Sequence, residues 1–373
     1  MNTPQLYIGL MSGTSLDGID ACIIDFSKPN HIIATHHQAF SPQLYTELQS
    51  LISHLHLPLA QLCALEVKLS QEYQIAVDKL LAKTNIDRQE VKAIGCHGQT
   101  IFHLPDTATP FSLQIGSGAH LAEYSQMLVV NDFRNNDMAL GGQGAPLVCG
   151  FHASLFSRQS NQLLLNMGGI ANITWLPAEG PVLGFDTGPA NALLDVWYHK
   201  YIGEGPYDAD GAWASSADPD EELVELFLAD EYFNQAPPKS TGKEYFNLDW
   251  INTYLSKLGR ALSPATVQAS LAQLTVESIV QQIDLLQPDN IYLCGGGVKN
   301  LYLVNQLKNR LSIDIETTDA LGIDPDFMEA AAFAWLAMRR LERVSGTVKE
   351  VTGAATDAIS GAVYIPSQYG NRI

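Results

Sequence analysis

The order of its predicted elements constrains the fold of this chain more than any other feature, because one pattern occurs twice. Each copy runs strand, glycine-rich turn, strand, strand and helix, followed by one more strand. The predicted strands are 7–11, 21–26, 31–40 and 91–96 in the first copy, and 162–166, 173–176, 182–185 and 291–294 in the second. The copies share little residue identity, so an internal duplication and a chance repetition of common α/β order both remain open.

Chain length sets the expected number of domains. With 373 residues the chain exceeds the roughly 250–300 residues at which one hydrophobic core stops growing, so we expect two domains. We place residues 1–130 and about 347–373 in an N-terminal lobe and residues 131–346 in a C-terminal lobe, with the connection near 129–147. Predicted helices are 43–55, 59–84 and 190–201, and residues 209–241 are predicted to be an insertion of surface helices and loops.

Net charge limits the expected partners. Lys and Arg total 21 against 40 Asp and Glu, which gives a formal net charge of −19. Such a field repels polyanions, so we expect neither nucleic acid nor membrane as a partner. A nucleotide still binds such a chain where backbone N–H groups and a metal ion supply local positive potential.

Cysteine spacing and hydropathy indicate the compartment. The five cysteines lie far apart, without the spacing of a zinc site or a disulfide framework, so we expect buried free thiols. They are Cys22, Cys63, Cys96, Cys149 and Cys294. Residues 1–10 contain no basic segment followed by a long apolar run, and no apolar stretch approaches about 18 residues. We therefore expect a cytoplasmic protein.

Glycine and hydroxyl residues fill the first turn, residues 9–20, with the sequence GLMSGTSLDGID. Glycine permits positive φ angles and lets backbone N–H groups approach phosphate oxygens, although an ordinary hairpin uses the same residue types. Asp17 and Asp20 have the oxygen ligands that hydrated Mg²⁺ prefers, or stabilise the turn alone. The candidate nucleotide-binding residues here are Gly13, Thr14, Ser15, Leu16, Asp17, Gly18, Ile19 and Asp20.

Three more glycine-rich turns follow predicted strands. They are Gly168 and Gly169, residues 186–189, and Gly295, Gly296 and Gly297 with Asn300 close behind. The competing nucleotide signatures GxxxxGK[ST] and GxGxxG at the first strand–helix unit do not occur. Turns of this kind from both lobes are typical of an actin-like ATPase.

Seven motifs resemble the successive signatures of the 1,6-anhydro-N-acetylmuramic acid kinases. They are GLMSGTSLDGID (9–20), CHGQT (96–100), NDFR (131–134), GQGAPL (142–147), NMGGIAN (166–172), GFDTGPAN (184–191) and CGGGVKN (294–300). The resemblance implies an α/β protein of two actin-like ATPase (ribonuclease-H-like) lobes with a nucleotide and sugar cleft between them. It also implies a homodimer.

The same resemblance implies a reaction. Members of that family open the 1,6-anhydro bridge with water and phosphorylate the released oxygen, giving N-acetylmuramic acid 6-phosphate and ADP in peptidoglycan recycling. ATP and Mg²⁺ are the implied cofactors. The chemistry requires a carboxylate that deprotonates water, and donors that hold the γ-phosphate in line with the bridging oxygen.

Asp186 is the candidate base, since it follows an apolar predicted strand and matches the family's catalytic aspartate. The alternative is a residue at the start of a helix, because Pro189 suits a first helical turn. The turn with Gly295 to Gly297 resembles the adenosine side of the superfamily's site, or is a strand–helix connection needed for packing.

Arg134 can bind the lactyl carboxylate of such a sugar with both ends of its guanidinium group, or pair with one of the many acidic residues. His97, Gln99 and Thr100 are placed just beyond the strand 91–96 as further candidate sugar contacts, and a purely structural histidine is the alternative.

Glu329 completes the set of candidate sugar contacts, because it interrupts an apolar run. Asp326, three residues earlier, fits a helix-capping pair instead. Two other functions remain open for the chain: a phosphatase or acyl-phosphate enzyme on the same fold, and a sugar-sensing regulator. Residues 1–6 carry no basic helix–turn–helix sequence, which disfavours the regulator.

Overall fold

The computed structural model describes residues 3–13, 16–28, 31–105, 107–156, 159–205, 207–237 and 239–368, apart from the side chains of residues 53 and 54. Its contacts divide the chain into unit 1, Met1–Leu155 with Leu321–Ile373, and unit 2, Phe156–Ala320. Each unit has a mixed sheet packed against helices, so the expected α/β class in two units is confirmed. No helix in the described ranges is long and apolar enough to cross a membrane.

The described strands are β1 (Leu6–Ser12), β2 (Ile19–Asp25), β3 (His31–Gln38), β4 (Val91–Leu104), β5 (Phe111–Ile115), β6 (Val129–Asn131), β7 (Gln162–Met167), β8 (Ile170–Leu176), β9 (Leu183–Pro189), β10 (Asn290–Cys294), β11 (Ile315–Thr317) and β12 (Ala362–Tyr364). The described α-helices are α1 (Pro42–His54), α2 (Leu59–Leu81), α3 (Gly118–Ser125), α4 (Asn135–Ala139), α5 (Cys149–Ser154), α6 (Asn191–Tyr201), α7 (Glu221–Leu228), α8 (Leu248–Leu258), α9 (Pro264–Leu286), α10 (Leu301–Arg310), α11 (Met328–Glu342) and α12 (Lys349–Thr352).

Unit 1 is built on a sheet with the strand order β12-β6-β4-β1-β2-β3, and β5 pairs with residues 99–104 of β4. The first three strands are antiparallel neighbours, and β4 runs parallel to both β1 and β6. The late strand β12 pairs antiparallel with β6, so residues 362–364 return to unit 1.

Unit 2 repeats this arrangement with the strand order β11-β10-β7-β8-β9. Here β7, β8 and β9 are the antiparallel neighbours, and β10 runs parallel to β7 and β11. In both units the fourth strand therefore lies beside the first, on the side away from the second. The predicted repetition of element order is confirmed at the level of topology.

Helix α11 packs closely on the sheet of unit 1. A Cβ atom on Gly9 would lie 1.7 Å from the Ala330 carbonyl oxygen, and one on Gly95 would lie 2.0 Å from the Phe333 carbonyl oxygen. Only glycine leaves room for the helix backbone at these two strand positions.

This packing moves the boundaries between the units. The expected limits at residues 130 and 346 are replaced by 155/156 and 320/321. The reason is that α11 covers β1 and β4, and residues after 130 pack on α11. Phe133 contacts Phe333, with ring centroids 5.4 Å apart, and Phe151 contacts Trp335 at 6.0 Å.

Two strands run further than predicted. Because β4 continues to Leu104, His97, Gln99 and Thr100 lie inside it and not beyond its end. Because β9 runs to Pro189, Asp186 is a strand residue, and the alternative of a helix start is wrong. Both extensions are held by pairing with a neighbouring strand, β5 or β8, and such tertiary pairing is not visible in local sequence.

Two smaller expectations are also corrected. Residues 209–241 are more than a surface insertion, since Phe227, Tyr232 and Phe233 belong to the hydrophobic core of unit 2. Cys63 is exposed, whereas the other four cysteines are buried free thiols as expected.

Candidate active site

The first turn of unit 1 is tied to neighbouring strands. The Gly13 carbonyl oxygen accepts hydrogen bonds from Leu16 N at 3.3 Å and from Gln99 Nε2 at 3.1 Å. A Cβ atom on Gly18 would lie 2.4 Å from the Gln38 carbonyl oxygen, so this position accepts only glycine. The candidate residues Thr14 and Ser15 lie outside the described residues.

Carboxylates crowd the end of this turn. Asp17 is exposed, and Asp20, at the start of β2, lies 2.8 Å from His37 Nδ1 through its Oδ1. Burial raises the pKa of Asp20 to about 6, His37 opposes this, and the charges of Asp17 and Asp326 add to it. A cation placed here would relieve this repulsion.

The donor set fits a hydrated Mg²⁺. Within the described residues no three His, Cys, Asp or Glu side chains converge as an all-protein metal cage does. Mg²⁺ usually keeps several waters and takes one or two carboxylates, and Asp17 and Asp20 are two carboxylates at this turn.

His97 and Arg134 form a partly buried pair in unit 1. Arg134 Nη2 lies 2.8 Å from His97 Nε2, and its Nη1 donates to the Gly144 carbonyl oxygen at 2.7 Å. Burial lowers the pKa of His97 to about 3, helped by the Arg134 charge, so the ring is neutral and Nε2 accepts. Burial also lowers the pKa of Arg134, to about 10, which leaves the guanidinium charged at neutral pH.

Two buried polar atoms in and near this pair lack a hydrogen-bond partner in the described part of the chain. The buried His97 Nδ1 and Asn131 Oδ1 have no hydrogen-bond partner among the described residues. Both residues line a cavity of about 230 Å³ in unit 1, together with Gln114, Ser117 and Asp132. Buried polar atoms are normally satisfied, so this cavity suits a polar ligand.

Glu329, in the first turn of α11, is brought close to the same charges. Burial raises the pKa of Glu329, the Arg134 charge lowers it, and Asp20 and Asp17 raise it further. The helix begins after Phe327 without a side-chain cap hydrogen bond, so Asp326 is not the N-cap residue of α11.

The two other candidates on β4 have contacts within the protein. Gln99 is fully buried, and its amide reaches Gly13 as described. Thr100 Oγ1 accepts from Gln114 Nε2 at 3.3 Å. Their described contacts therefore support the turn and the β4–β5 pair.

Asp186 is held by three hydrogen bonds in unit 2. Its Oδ2 accepts from Thr241 N at 2.9 Å, its N–H donates to the Lys239 carbonyl oxygen at 3.0 Å, and its carbonyl oxygen accepts from Tyr232 Oη at 2.8 Å. Burial raises the pKa of Asp186 to about 7. The hydrogen bond from the Thr241 N–H lowers this pKa, and the charge of Glu244 raises it. The carboxyl is thus oriented and titrates near neutral pH.

Sequence analysis missed Tyr232, Lys239 and Thr241 as neighbours of Asp186. All three lie in the segment 209–241, which was predicted to be a surface insertion. The available signal was the polar run Lys239-Ser240-Thr241-Gly242 directly after two prolines, which is typical of a loop with a specific conformation.

The glycine turn between β7 and β8 contacts the start of α6. Gly169 O accepts from the N–H groups of Ala190 and Ala192, both at 2.9 Å, and Gly168 O accepts from Asn191 Nδ2 at 2.8 Å. The turn is therefore fixed against the helix that follows Asp186.

The second glycine turn of unit 2 combines packing with open space. Gly295 has φ +80°, and a Cβ atom there would lie 2.2 Å from Asn166 Oδ1, while a Cβ on Gly296 would meet nothing within 4 Å. Gly297 packs on Met167, and Asn300 caps α10 by accepting from Leu303 N at 3.1 Å. Gly296 is the position where a ligand can approach the backbone.

The two units thus carry complementary chemical groups. Unit 1 supplies a guanidinium group, a neutral histidine and carboxylates beside a glycine turn. Unit 2 supplies a carboxyl that titrates near neutral pH and two further glycine turns. General-base catalysis and phosphoryl transfer both use groups of these types.

Comparison with known proteins identifies the family. The family model "Anhydro-N-acetylmuramic acid kinase" matches residues 5–366. Proteins of that name from Coxiella burnetii and Nitrosomonas europaea are similar to this chain. The first is 44% identical over 366 residues, covering 96% of this chain and 97% of the relative. The second is 45% identical over 365 residues, covering 96% and 99%.

A solved structure shows a weaker likeness. Component A of the (R)-2-hydroxyglutaryl-CoA dehydratase of Acidaminococcus fermentans superposes with a TM-score of 0.45 at 11% identity, covering 88% of this chain and 96% of that one. The family model and the full-length relatives decide the assignment: the chain belongs to the anhydro-N-acetylmuramic acid kinase family.

Proposed function

We propose that this protein is an ATP-dependent kinase that opens the 1,6-anhydro ring of 1,6-anhydro-N-acetylmuramic acid with water and phosphorylates it to N-acetylmuramic acid 6-phosphate. The observation that carries the proposal is the Asp186 carboxyl, which is oriented by Thr241 and has its pKa raised to about 7 by burial. A general base works best when its pKa lies near the operating pH.

Asp186 accepts one proton from a water molecule as that water attacks the anomeric carbon. The bond between the anomeric carbon and the bridging oxygen breaks, and this oxygen takes the γ-phosphoryl group of ATP. The products are the sugar 6-phosphate, ADP and the proton that Asp186 releases. One oxygen atom is therefore both leaving group and phosphate acceptor.

The glycine turns are proposed to hold the nucleotide. Residues 13–20 are assigned to the phosphates and residues 295–297 with Asn300 to the adenosine side, while Gly168 and Gly169 form a third contact. Bound Mg²⁺ neutralises charge on the phosphates. Asp17 and Asp20 would hold it, as their crowded carboxylates allow.

Arg134 is proposed to bind the lactyl carboxylate of the sugar. Its guanidinium stays charged, and its contacts with His97 and Gly144 fix its direction. His97 Nδ1, which has no partner among the described residues, would donate to the sugar. Glu329, Thr100 and Gln99 complete the proposed sugar-binding residues.

Isotope labelling tests the proposed reaction. The protein is incubated with ATP, Mg²⁺ and 1,6-anhydro-N-acetylmuramic acid in H₂¹⁸O, and the product is identified by mass. We expect a sugar phosphate that carries one ¹⁸O at the anomeric hydroxyl and unlabelled phosphate. Release of labelled inorganic phosphate without a sugar phosphate would show a phosphatase instead.

The setting of the enzyme is part of the proposal. We propose peptidoglycan recycling and amino-sugar catabolism as its pathway, the cytoplasm as its compartment and a homodimer as its assembly. Sedimentation of the purified protein tests the last point.

A further inference from the structure

Lys239 is a lysine with a buried side chain in unit 2. The residue is only 5% exposed, and lysine is almost never buried at this level unless it is paired. Its Nζ donates to the Tyr232 carbonyl oxygen at 3.2 Å and lies 4.7 Å from the centroid of the Tyr232 ring. One tyrosine therefore holds this ammonium group through both its backbone and its ring.

The same tyrosine connects Lys239 to Asp186. Tyr232 Oη donates to the Asp186 carbonyl oxygen, and the Asp186 N–H donates to the Lys239 carbonyl oxygen. Burial raises the pKa of Tyr232, and the Asp186 charge adds to this, so the hydroxyl remains a donor. Asp186, Tyr232 and Lys239 form a closed set of contacts, which we call the lysine clamp.

Asp230 anchors the lysine clamp in the core. Its carboxylate accepts from Tyr232 N at 2.9 Å, Tyr245 Oη at 2.7 Å, Trp250 Nε1 at 2.9 Å and Tyr254 Oη at 2.7 Å. A carboxylate with four donors is firmly fixed. Asp230 therefore fixes the backbone of Tyr232, the residue that holds Lys239 Nζ.

We propose that Lys239 is a positioning residue for the reaction, whose buried positive charge raises the ionised fraction of the Asp186 carboxyl, the form that accepts a proton from water. This inference rests on the proposed function, because it takes Asp186 as the base. Lys239 itself touches neither the water nor the sugar in this account, since its Nζ is bound to Tyr232.

The pKa of Asp186 depends on several groups around its carboxyl. Burial opposes ionisation of the carboxyl most strongly and the charge of Glu244 adds to this, while the Thr241 N–H and, to a smaller extent, the Lys239 charge favour ionisation. The interaction is mutual, since burial lowers the pKa of Lys239 and the Asp186 charge raises it. An opposite charge about 4–6 Å from a carboxyl lowers its pKa by about one to three units. We expect the low end of this range here, because Lys239 Nζ is bound to Tyr232 and not to Asp186.

The test is the pH dependence of kcat for phosphorylation of the anhydro sugar. Lys239→Met keeps the aliphatic stem without the charge, Lys239→Gln keeps a donor for the Tyr232 carbonyl without the charge, and Lys239→Arg keeps the charge. Lys257→Met is the matched control, because Lys257 Nζ also lies over a tyrosine ring, 4.1 Å from the Tyr254 centroid, but is exposed.

We expect both neutral variants to move the acid limb of the profile upward by about one pH unit, which is a tenfold lower kcat on that limb. At higher pH their kcat should approach that of the wild type. Lys239→Arg should restore the wild-type limb, and Lys257→Met should not move it. Melting temperatures identify the variants that are folded. If Lys239→Met does not fold, the test is carried out with Lys239→Gln.

Two results would overturn the inference: an unmoved acid limb in a folded neutral variant, or an equal loss of kcat at every pH that Lys239→Arg does not repair. Asp186→Asn in the same assay separates this failure from failure of the proposed function. If Asp186→Asn keeps turnover, the base assignment is wrong. If it is inactive while the neutral lysine variants keep the wild-type profile, only the role of Lys239 is wrong.

Discussion

Unit 1 and unit 2 share one sheet topology and differ in the charge that they keep out of water. Unit 1 holds the guanidinium of Arg134 against a neutral His97 on its fourth strand. Unit 2 holds the carboxyl of Asp186 on its third strand beside Lys239. The same arrangement of strands thus presents a guanidinium group in one copy and a carboxyl in the other, so the chemical groups depend on single side chains and not on topology.

The glycines of the two units differ in a similar way. Gly9 and Gly95 lie within strands of unit 1 and admit α11, whereas Gly295 to Gly297 lie in a turn of unit 2 where one position faces open space. Glycine serves packing in the first case. In the second it leaves access to the backbone.

Replacing the base should produce the largest effect. Asp186→Asn keeps the shape and the acceptor for Thr241 N but cannot take the proton of water, so kcat should fall by about 10²–10⁴-fold. The control is Asp284→Asn on α9, which makes the same chemical change at an exposed position. A folded Asp186→Asn enzyme with near-normal kcat would show that Asp186 is not the general base.

Removing the guanidinium group of Arg134 should weaken binding of the sugar. Arg134→Ala should raise the KM for the anhydro sugar by roughly 10–100-fold, since a charged hydrogen-bonded pair contributes about 1.5–3 kcal/mol, with little change in the KM for ATP. The matched substrate is 1,6-anhydro-N-acetylglucosamine, which lacks the lactyl carboxylate and should be insensitive to the change. Equal effects on both sugars, or on sugar and ATP, would contradict the assignment.

Alanine substitutions distinguish a glycine needed for helix packing from a glycine that leaves the backbone open to ATP. Gly9→Ala should destabilise the protein by about 1–3 kcal/mol or more, because the new methyl group overlaps the backbone of α11. Gly296→Ala should leave the melting temperature unchanged and raise the KM for ATP several-fold, because its Cβ meets no protein atom. Thermal unfolding and ATP kinetics on both variants check this. A destabilised Gly296→Ala protein with unchanged ATP kinetics would reverse the distinction.

The pH dependence of stability should have opposite signs in the two units. Burial raises the pKa of Asp186 to about 7, so the folded state binds its proton more tightly and loses stability as pH rises from about 4 to about 7. Burial lowers the pKa of His97 to about 3, so its contribution is lost as pH falls below about 6.5.

Thermal unfolding of Asp186→Asn measures the first of these contributions. The variant should melt like the wild type near pH 4 and at a higher temperature than the wild type at pH 8, because the buried carboxyl of the wild type becomes ionised between these pH values and the amide does not. An identical difference at both pH values would show that the carboxyl is not perturbed.

The fold was largely predictable because the strands of both sheets are apolar runs next to glycine turns. The missing parts depended on distant contacts. His97 and Asp186 were placed at strand ends because glycine and polar residues interrupt the apolar pattern, yet pairing with β5 and β8 continues both strands. The family resemblance supplied Asp186 and Arg134 as candidates. Tyr232 and Lys239 could not be found in this way, because they lie 46 and 53 positions after Asp186 in the chain.

A crystal structure with a non-hydrolysable ATP analogue and 1,6-anhydro-N-acetylmuramic acid tests the central claim most directly. We predict that an Asp186 carboxylate oxygen lies about 2.6–3.2 Å from a water molecule positioned at the anomeric carbon, while residues 13–20 contact the phosphates. A complex in which the bound sugar lies beyond hydrogen-bond reach of Asp186, even through a water molecule, would contradict the proposed mechanism.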